Sequence, residues 1–452
     1  MYTEKLRDVL SRPHLHELAV LSGFCQRNSK LSPAVFFEML FYTVSHNEEG
    51  SLSYMVSLLE SNFGVNLCKQ SLNERFNENC ESYVKAVLKE VLREEFSQLY
   101  RVELLPGFSR ILIKDSTKFM TPSTLEENYK SCGGDVHKRS NSSISVQYEY
   151  DLKSGEVTDL NITSGNRNDR TDAGATAGDM EKGDLIIRDL GYFSTPALES
   201  CAQQESFFLS RLDGSTNVYD ECDRLISFKE IYTSMQKSGV IEKEMTVYIG
   251  SKTKLPVRLI LQTVPDEVYE KRIREKTQKS KGQGRGQLTE ETKVRSRFNL
   301  FITNAEASQL SKEQVYPLYR LRWQIELQFK AWKSVFKVGS SLHKMKEHRY
   351  ITLLCIKLLQ IIICLQITYS LQQAVVQGKT GKIKVLSLNK SLKTLKTLLD
   401  EIFSMLRGTC RKAKEISQCI QKRLSENHWL ESKNKKLCLP EILQLIICKS
   451  EK

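Results

Sequence analysis

The sequence predicts a mixed α/β protein in which a sheet-forming middle is flanked by helical regions. Three observations carry this expectation. Apolar residues recur at three- and four-residue spacing up to about Tyr100, the pattern switches to alternation from Arg110, and helical spacing returns from Arg349 onward.

In the first region, Ser32-Pro33 predicts a helix start, with the serine as N-cap, the proline in the first turn, and Ala34, Phe36, Phe37 and Leu40 on its inner face. A second helix is expected from Ser51 to Phe63, with Met55, Leu58 and Leu59 on one side and Gly64 as its stop. After a short turn, CKQSLNERF reads as a polar helix with Leu72 and Phe76 inward and Lys69, Gln70, Asn73 and Arg75 outward. Two short helices about a glycine turn, the second rich in Lys, Gln, Asn and Arg, resemble a helix-turn-helix that reads a major groove. An ordinary three-helix domain fits the same pattern.

The middle region begins with ILIKD, a short apolar strand expected to end on Asp115. SISVQYEYDL alternates Ile144, Val146, Tyr148 and Tyr150, and Ser154-Gly155 predicts a hairpin turn into EVTDLNIT. Residues 169–180 read as a short helix, and DLIIRD as a second apolar strand ending on an acid, Asp189. Residues 195–297 look strand-rich, with SFFLSRL, MTVYIG and PVRLILQTV, interrupted by a basic loop, KRIREKTQKSKGQGR. Its Lys271, Arg272, Arg274, Lys279, Lys281 and Arg285 suit a polyanion that would order it; a solvated loop is the competing reading. The GQGRG inside it lacks the strand and helix of a nucleotide cradle. FNLFITN returns to a strand, and SKEQ at 311–314 predicts the start of a long helix.

The chain has 452 residues and a net charge of +13, so it is large enough for several cores and suited to an anionic partner. MYTEKLRDVLSRPHLHEL has no apolar leader segment, which predicts a cytoplasmic protein. The run from Ile351 to Tyr369 is broken by Lys357, Gln360 and Gln366, as expected of a buried core helix and not of a membrane span. Twelve cysteines without a C-x-x-C pair suggest reduced thiols, and the seven histidines make no zinc-ligand spacing.

On the helix after the last strand, Tyr319, Arg322, Glu326, Lys330 and Lys333 fall within roughly 80° at about 100° per residue. Leu321, Ile325, Phe329, Trp332 and Phe336 form a separate apolar stripe, with Trp323 bordering the polar row and expected to pack against a neighbour. Arg322, Glu326 and Lys330 also make ordinary i,i+4 pairs. What favours chemistry is the company Glu326 keeps. Asp115, Asp189 and Glu326 follow in an order that can bring three carboxylates to one edge of a mixed sheet, where hard oxygen ligands hold two magnesium ions about 3.5–4 Å apart.

Asp115-Ser116-Thr117, Asp189-Leu190-Gly191-Tyr192-Phe193 and the Y-x2-R-x3-E-x6-K signature of Tyr319, Arg322, Glu326 and Lys333 resemble the DDE transposases of the insertion-sequence-4 family. The resemblance implies a ribonuclease H-like mixed-sheet core with a β-rich insertion between the second Asp and the Glu, flanked by helical N- and C-terminal regions. The expected division is 1–105 for DNA binding, 106–194 and 298–348 for the core, 195–297 for the insertion, and 349–452 for a C-terminal region suited to dimerisation. By resemblance, Asp115, Asp189 and Glu326 bind Mg2+, with Mn2+ as substitute, while Tyr319, Arg322 and Lys333 contact phosphates of the transposon end. Lys330 is either a supporting contact or a partner of Glu326. Some relatives pass through a DNA hairpin and hold a flipped base on an aromatic of the insertion; Phe298 is the nearest equivalent here, or else a core residue of its strand. A homodimer acting on transposon ends and target DNA is implied. A non-catalytic DNA-binding derivative and a stand-alone nuclease are the alternatives.

Overall fold

A computed structural model of the protein describes residues 2–27, 29–47, 49–93, 105–132, 140–176, 178–250, 254–284, 286–340, 342–376, 385–408, 410–430, 441–443 and 446. The chain opens with helices α1 (Tyr2–Val9), α2 (Arg12–Leu21), α3 (Pro33–His46), α4 (Leu52–Phe63), α5 (Lys69–Glu74) and α6 (Glu78–Arg93). Strands β1 (Ile111–Met120), β2 (Ser143–Asp151) and β3 (Val157–Ser164) follow, then α7 (Asp169–Ala175), β4 (Leu185–Arg188) and α8 (Thr195–Gln203). Next come β5 (Phe207–Arg211), β6 (Val218–Tyr219), α9 (Phe228–Ser238), β7 (Glu242–Ile249), β8 (Leu255–Thr263), α10 (Asp266–Gly282), α11 (Glu290–Arg295) and β9 (Phe298–Thr303). Helices α12 (Lys312–Arg320), α13 (Trp323–Ser334), α14 (Glu347–Val376), α15 (Leu388–Thr397), α16 (Leu399–Leu406) and α17 (Ala413–Asn427) complete it.

Chain contacts divide the molecule into two compact units, each assembled from separated stretches. The first comprises Met1–Val102, Ser116–Arg167 and Trp323–Pro440. Its helix signals act as expected: the Ser32 hydroxyl accepts from the Val35 amide at 3.3 Å, and Gly64 closes α4 in the left-handed region at φ 63°. The hairpin of β2 and β3 also forms as expected, with Gly155 at φ 73° in its turn. An added Cβ there would stand 3.0 Å from the Tyr369 ring, so side-chain crowding and backbone conformation both favour glycine.

Strand β2 is buried at all nine positions, so both its faces are covered. Tyr148 meets the Trp332 ring edge-on at 5.0 Å, and Tyr150 stacks near Tyr369 at 6.5 Å. The apolar stripe of Leu321, Ile325, Phe329, Trp332 and Phe336 is buried as expected. Helix α14 is long and apolar enough to cross a membrane by length and composition, yet 83% of its apolar window is buried inside the protein.

The second unit comprises Glu103–Asp115, Asn168–Arg322 and Glu441–Lys452. Its strands lie in the order β1-β4-β5-β9-β8-β7-β6, with β1, β4 and β5 parallel and the rest antiparallel; β1 also continues into the first unit beside β2 and β3. One face carries Leu112, Ile186, Phe208, Leu259, Leu300 and Ile302, packed with Cys201 of α8 and Ile231 and Met235 of α9. The other carries Phe301, against which Tyr316 and Tyr319 of α12 pack at 6.0 and 5.2 Å.

Several expectations are corrected. Strand β1 runs ten residues, so Asp115 lies within it and not at its end. Residues 195–297 contain helices α8 to α11 as well as strands. The expected basic loop is largely helix α10, formed without a buried side chain. Acids Asp266 and Glu267 in its first turn and Lys279 and Lys281 in its last complement the helix dipole, and Lys271 pairs loosely with Glu275 at 3.9 Å. The single long helix expected to bear the polar row is two helices. The Leu321 and Arg322 amides bond back to Leu318 and Tyr319 carbonyls at 3.0 and 3.2 Å, a tight turn that ends α12 before α13 begins.

Candidate active site

The register of the parallel strands explains why two distant acids become neighbours. Ile111 to Lys114 of β1 pair with Leu185 to Arg188 of β4. Asp115 is the next residue of β1, and Asp189 follows β4 directly with an extended backbone (φ -72°, ψ 162°), so counting on by one residue from the last pair sets the two acids at the same level of neighbouring strands. Leu185, Ile186 and Ile187 of β4 pair with Phe207, Phe208 and Leu209 of β5, so counting on by two residues sets Arg211, itself opposite Phe301 of β9, level with Asp189. An acid, an acid and a cation therefore line one rung on the face that α12 covers.

Arg322 joins the acids. Its Nη1 donates to Asp115 Oδ2 at 3.0 Å, and Nη2 lies 3.8 Å from Asp189 Oδ1. The side chains of Arg322 and Asp115 are 13% and 18% exposed, whereas Asp189 is 45% exposed, so Asp189 is the open side of the site. Tyr319 is nearly buried; desolvation first, then the Asp189 carboxylate, pushes its phenol up to about 12. Its hydroxyl thus stays protonated near neutrality. Two carboxylates gathered around a cation form a hard-oxygen donor set that suits a divalent metal ion.

Glu326, Lys330 and Lys333 lie on α13, in the first unit. Glu326 is half-buried and both lysines are exposed; desolvation nevertheless holds the Lys333 amine below the usual lysine range. Among the described residues, no three His, Cys, Asp or Glu side chains are grouped closely enough to hold a metal ion. The structure brings together Asp115, Asp189, Arg322 and Tyr319.

Comparison with known proteins decides the family. The family described as "Transposase DDE domain" matches residues 106–362, more than half of the chain. The chain belongs to the DDE transposase family. It is 30% identical to the transposase for insertion sequence element IS231F of Bacillus thuringiensis subsp. israelensis, over 96% of this chain and 93% of that one. It is 27% identical to the transposase for IS1151 of Clostridium perfringens, over 85% and 84% respectively. A shorter likeness, 29% over 44% of this chain, joins it to the putative transposase InsL for IS186A of Escherichia coli K12. DNA is accordingly the partner of this transposase, and its α/β core is the ribonuclease H-like one that the family resemblance implied.

The remaining expected residues of the transposase divide by position. On α5, Lys69 and Gln70 are exposed, Gln70 donating to Glu74 at 3.2 Å. Asn73 accepts from Arg349 at 3.4 Å, and Arg75 reaches the Ser29 hydroxyl at 3.4 Å. On α10, Lys271, Arg274, Lys279 and Lys281 are exposed, whereas Arg272 turns inward to the Phe298 carbonyl at 2.9 Å and Asn299 Oδ1 at 2.6 Å. Partial burial, then the Arg211 charge, lowers the Arg272 pKa. Arg285 lies outside the described residues.

Phe298 is a core residue, 2% exposed, with its ring 5.7 Å from Tyr232; it is not presented to a base. Trp323, expected to pack against a neighbour, is instead 56% exposed. Sequence reasoning missed Arg211, because its signal is register and not motif: only the pairing of β4 with β5 shows that the arginine ending SFFLSR shares a rung with the acids.

Proposed function

We propose that this transposase binds the terminal inverted repeats of its own insertion sequence, cuts at the transposon ends, and joins the freed 3′-hydroxyl to target DNA. The observation that carries the reading is that Arg322 approaches both Asp115 and Asp189, the acids that directly follow the paired Lys114 and Arg188 of the parallel ladder. In cleavage, water attacks phosphorus and the P–O3′ bond breaks, leaving a 3′-hydroxyl and a 5′-phosphate. In strand transfer, that 3′-oxygen attacks a target phosphorus and displaces the target's own 3′-oxygen. Both are in-line displacements at phosphorus, so one site serves both.

Asp115, Asp189 and Glu326 are the proposed ligands of Mg2+, with Mn2+ as substitute; when bound, the metal supplies Lewis-acid stabilisation of the attacking and leaving oxygens. Arg322 grips a phosphate bidentately, the protonated Tyr319 donates to a phosphate oxygen, and Lys333 and Lys330 add point charges. Lys69, Gln70, Asn73 and Arg75 are proposed to read the repeat, and Lys271, Arg274, Lys279 and Lys281 to track the backbone. Residues 1–105 then act in DNA binding, 106–194 and 298–348 as the catalytic core around the 195–297 insertion, and 349–452 in forming a homodimer that holds two ends. The protein works in the cytoplasm, at the nucleoid when bound to DNA. With Phe298 in the core, the base-holding aromatic of a hairpin route is not supplied by that residue.

The test is cleavage of end-containing DNA with Mg2+ by the parent protein, Asp115→Asn and Glu326→Gln. Each variant should lose more than roughly 100-fold in rate, beyond the range typical of supporting residues around a metal. Undiminished cleavage by either removes that residue from the site. Binding without cleavage by the parent favours a non-catalytic derivative, and cleavage without end preference favours a stand-alone nuclease.

A further inference from the structure

The rung behind the acids is built as deliberately as the acids themselves. Lys114 and Arg188 pair across β1 and β4 immediately before Asp115 and Asp189, and by strand alternation they point to the opposite face. Lys114 is completely buried there. Its Nζ lies 2.8 Å from Asp172 Oδ2 of α7, and the two side chains are 0% and 2% exposed.

Thr176, at the end of α7, ties the same rung from its other side. Its hydroxyl oxygen lies 3.4 Å from Lys114 Nζ and 3.5 Å from Arg188 Nη2, while the hydroxyl donates to the Asp172 carbonyl at 3.0 Å. At its other end α7 reaches the turn that follows Asp189: a Cβ added to Gly191 would stand 3.5 Å from Asp169 Oδ2. Seven residues are too few for a helix to persist without such anchors.

A buried ion pair is a poor source of stability, since apolar residues of the same volume often do as well or better. What it does supply is a fixed position. An apolar contact tolerates sliding of α7 along β1, whereas a 2.8 Å ion pair with a shared hydroxyl defines one setting.

We propose that Lys114 and Asp172 are positioning residues, which lock α7 behind β1 and β4 and thereby set the separation of the Asp115 and Asp189 carboxylates for a divalent cation. This rests on the reading that those acids hold the metal. The deciding variant is Lys114→Met/Asp172→Leu, which removes both charges and leaves neither partner buried alone. It should keep the melting temperature and the KM for end-containing DNA, yet lose roughly 10-fold or more both in kcat and in Mn2+ affinity measured by electron paramagnetic resonance, as is typical when support around metal ligands is removed. Parental kcat and parental Mn2+ affinity in this variant would overturn the proposal.

Should the double variant not fold, Thr176→Val decides, because it keeps the ion pair and removes only the hydroxyl shared by Lys114 and Arg188. A measurable fall in Mn2+ affinity at unchanged melting temperature supports the brace, and no change in either quantity refutes it. Asp115→Asn is the separate control: if it binds Mn2+ and cleaves normally, the metal reading itself fails, whatever the brace variants do.

Discussion

Replacing Arg322 with methionine isolates the cation that now holds the two acids together. The change keeps most of the aliphatic stem but removes the 3.0 Å bond to Asp115 and the 3.8 Å approach to Asp189. A hydrogen bond to a charged group contributes about 1.5–3 kcal/mol. Two carboxylates at strand spacing of about 4.8 Å repel by roughly 3.5 kcal/mol at an effective dielectric of 20. Because Asp189 is 45% exposed, solvent screening reduces that repulsion by about half. The loss therefore comes to about 3–5 kcal/mol, a fall of roughly 10 °C in the melting of a domain of the second unit's size. The assay is thermal melting of the parent and R322M with and without Mg2+. In R322M the acids lack their guanidinium, so added Mg2+ should raise the midpoint by more than it does in the parent. An R322M protein that melts like the parent without Mg2+, or that gains no more from Mg2+, refutes the reasoning.

Other consequences are equally direct. Arg211→Ala should weaken binding to end-containing DNA and reduce the slope of log affinity against log salt by about one phosphate contact; an unchanged slope excludes Arg211 from the interface. Tyr319, whose pKa is raised, should show no ionisation in the ordinary phenol range near pH 10 when the parent and Tyr319→Phe are compared by ultraviolet titration. Because its folded value of about 12 exceeds the unfolded 10.0, its contribution to stability is full below pH 10 and is lost as pH rises through 12. Phe298→Ala should destabilise the protein by about 3–5 kcal/mol through a core cavity, while Phe298→Leu keeps most of the stability and the cleavage rate. A well-folded Phe298→Ala with a specific cleavage defect would return that residue to the DNA.

Elements whose signals are local were legible in the sequence. The Ser32 cap, the Gly64 stop, the hairpin through Gly155 and the apolar stripe from Leu321 to Phe336 each depend on a few adjacent residues, and each forms as read. Asp115 and Asp189 were legible as candidates, but their adjacency depends on a parallel register that sequence spacing does not encode. Helix α10 escaped because it buries no side chain and so has no apolar period to detect, only charges placed to suit its dipole. The turn at Leu321 and Arg322 escaped for the opposite reason. The apolar stripe continues across it unbroken, so periodicity alone reads one helix where backbone hydrogen bonds make two.

The hairpin of the first unit has a consequence for how the chain is made. Strand β2 ends at Asp151, yet the aromatic groups that cover its tyrosines, Trp332 and Tyr369, come some two hundred residues later. At about 5–20 residues per second, a ribosome needs on the order of 10–40 s to supply them. Throughout that interval the two tyrosines lack these ring partners, and a chain terminated before α13 acquires neither of them. The fold thus makes the last third of the protein a condition for completing the packing of the first strands of its sheet.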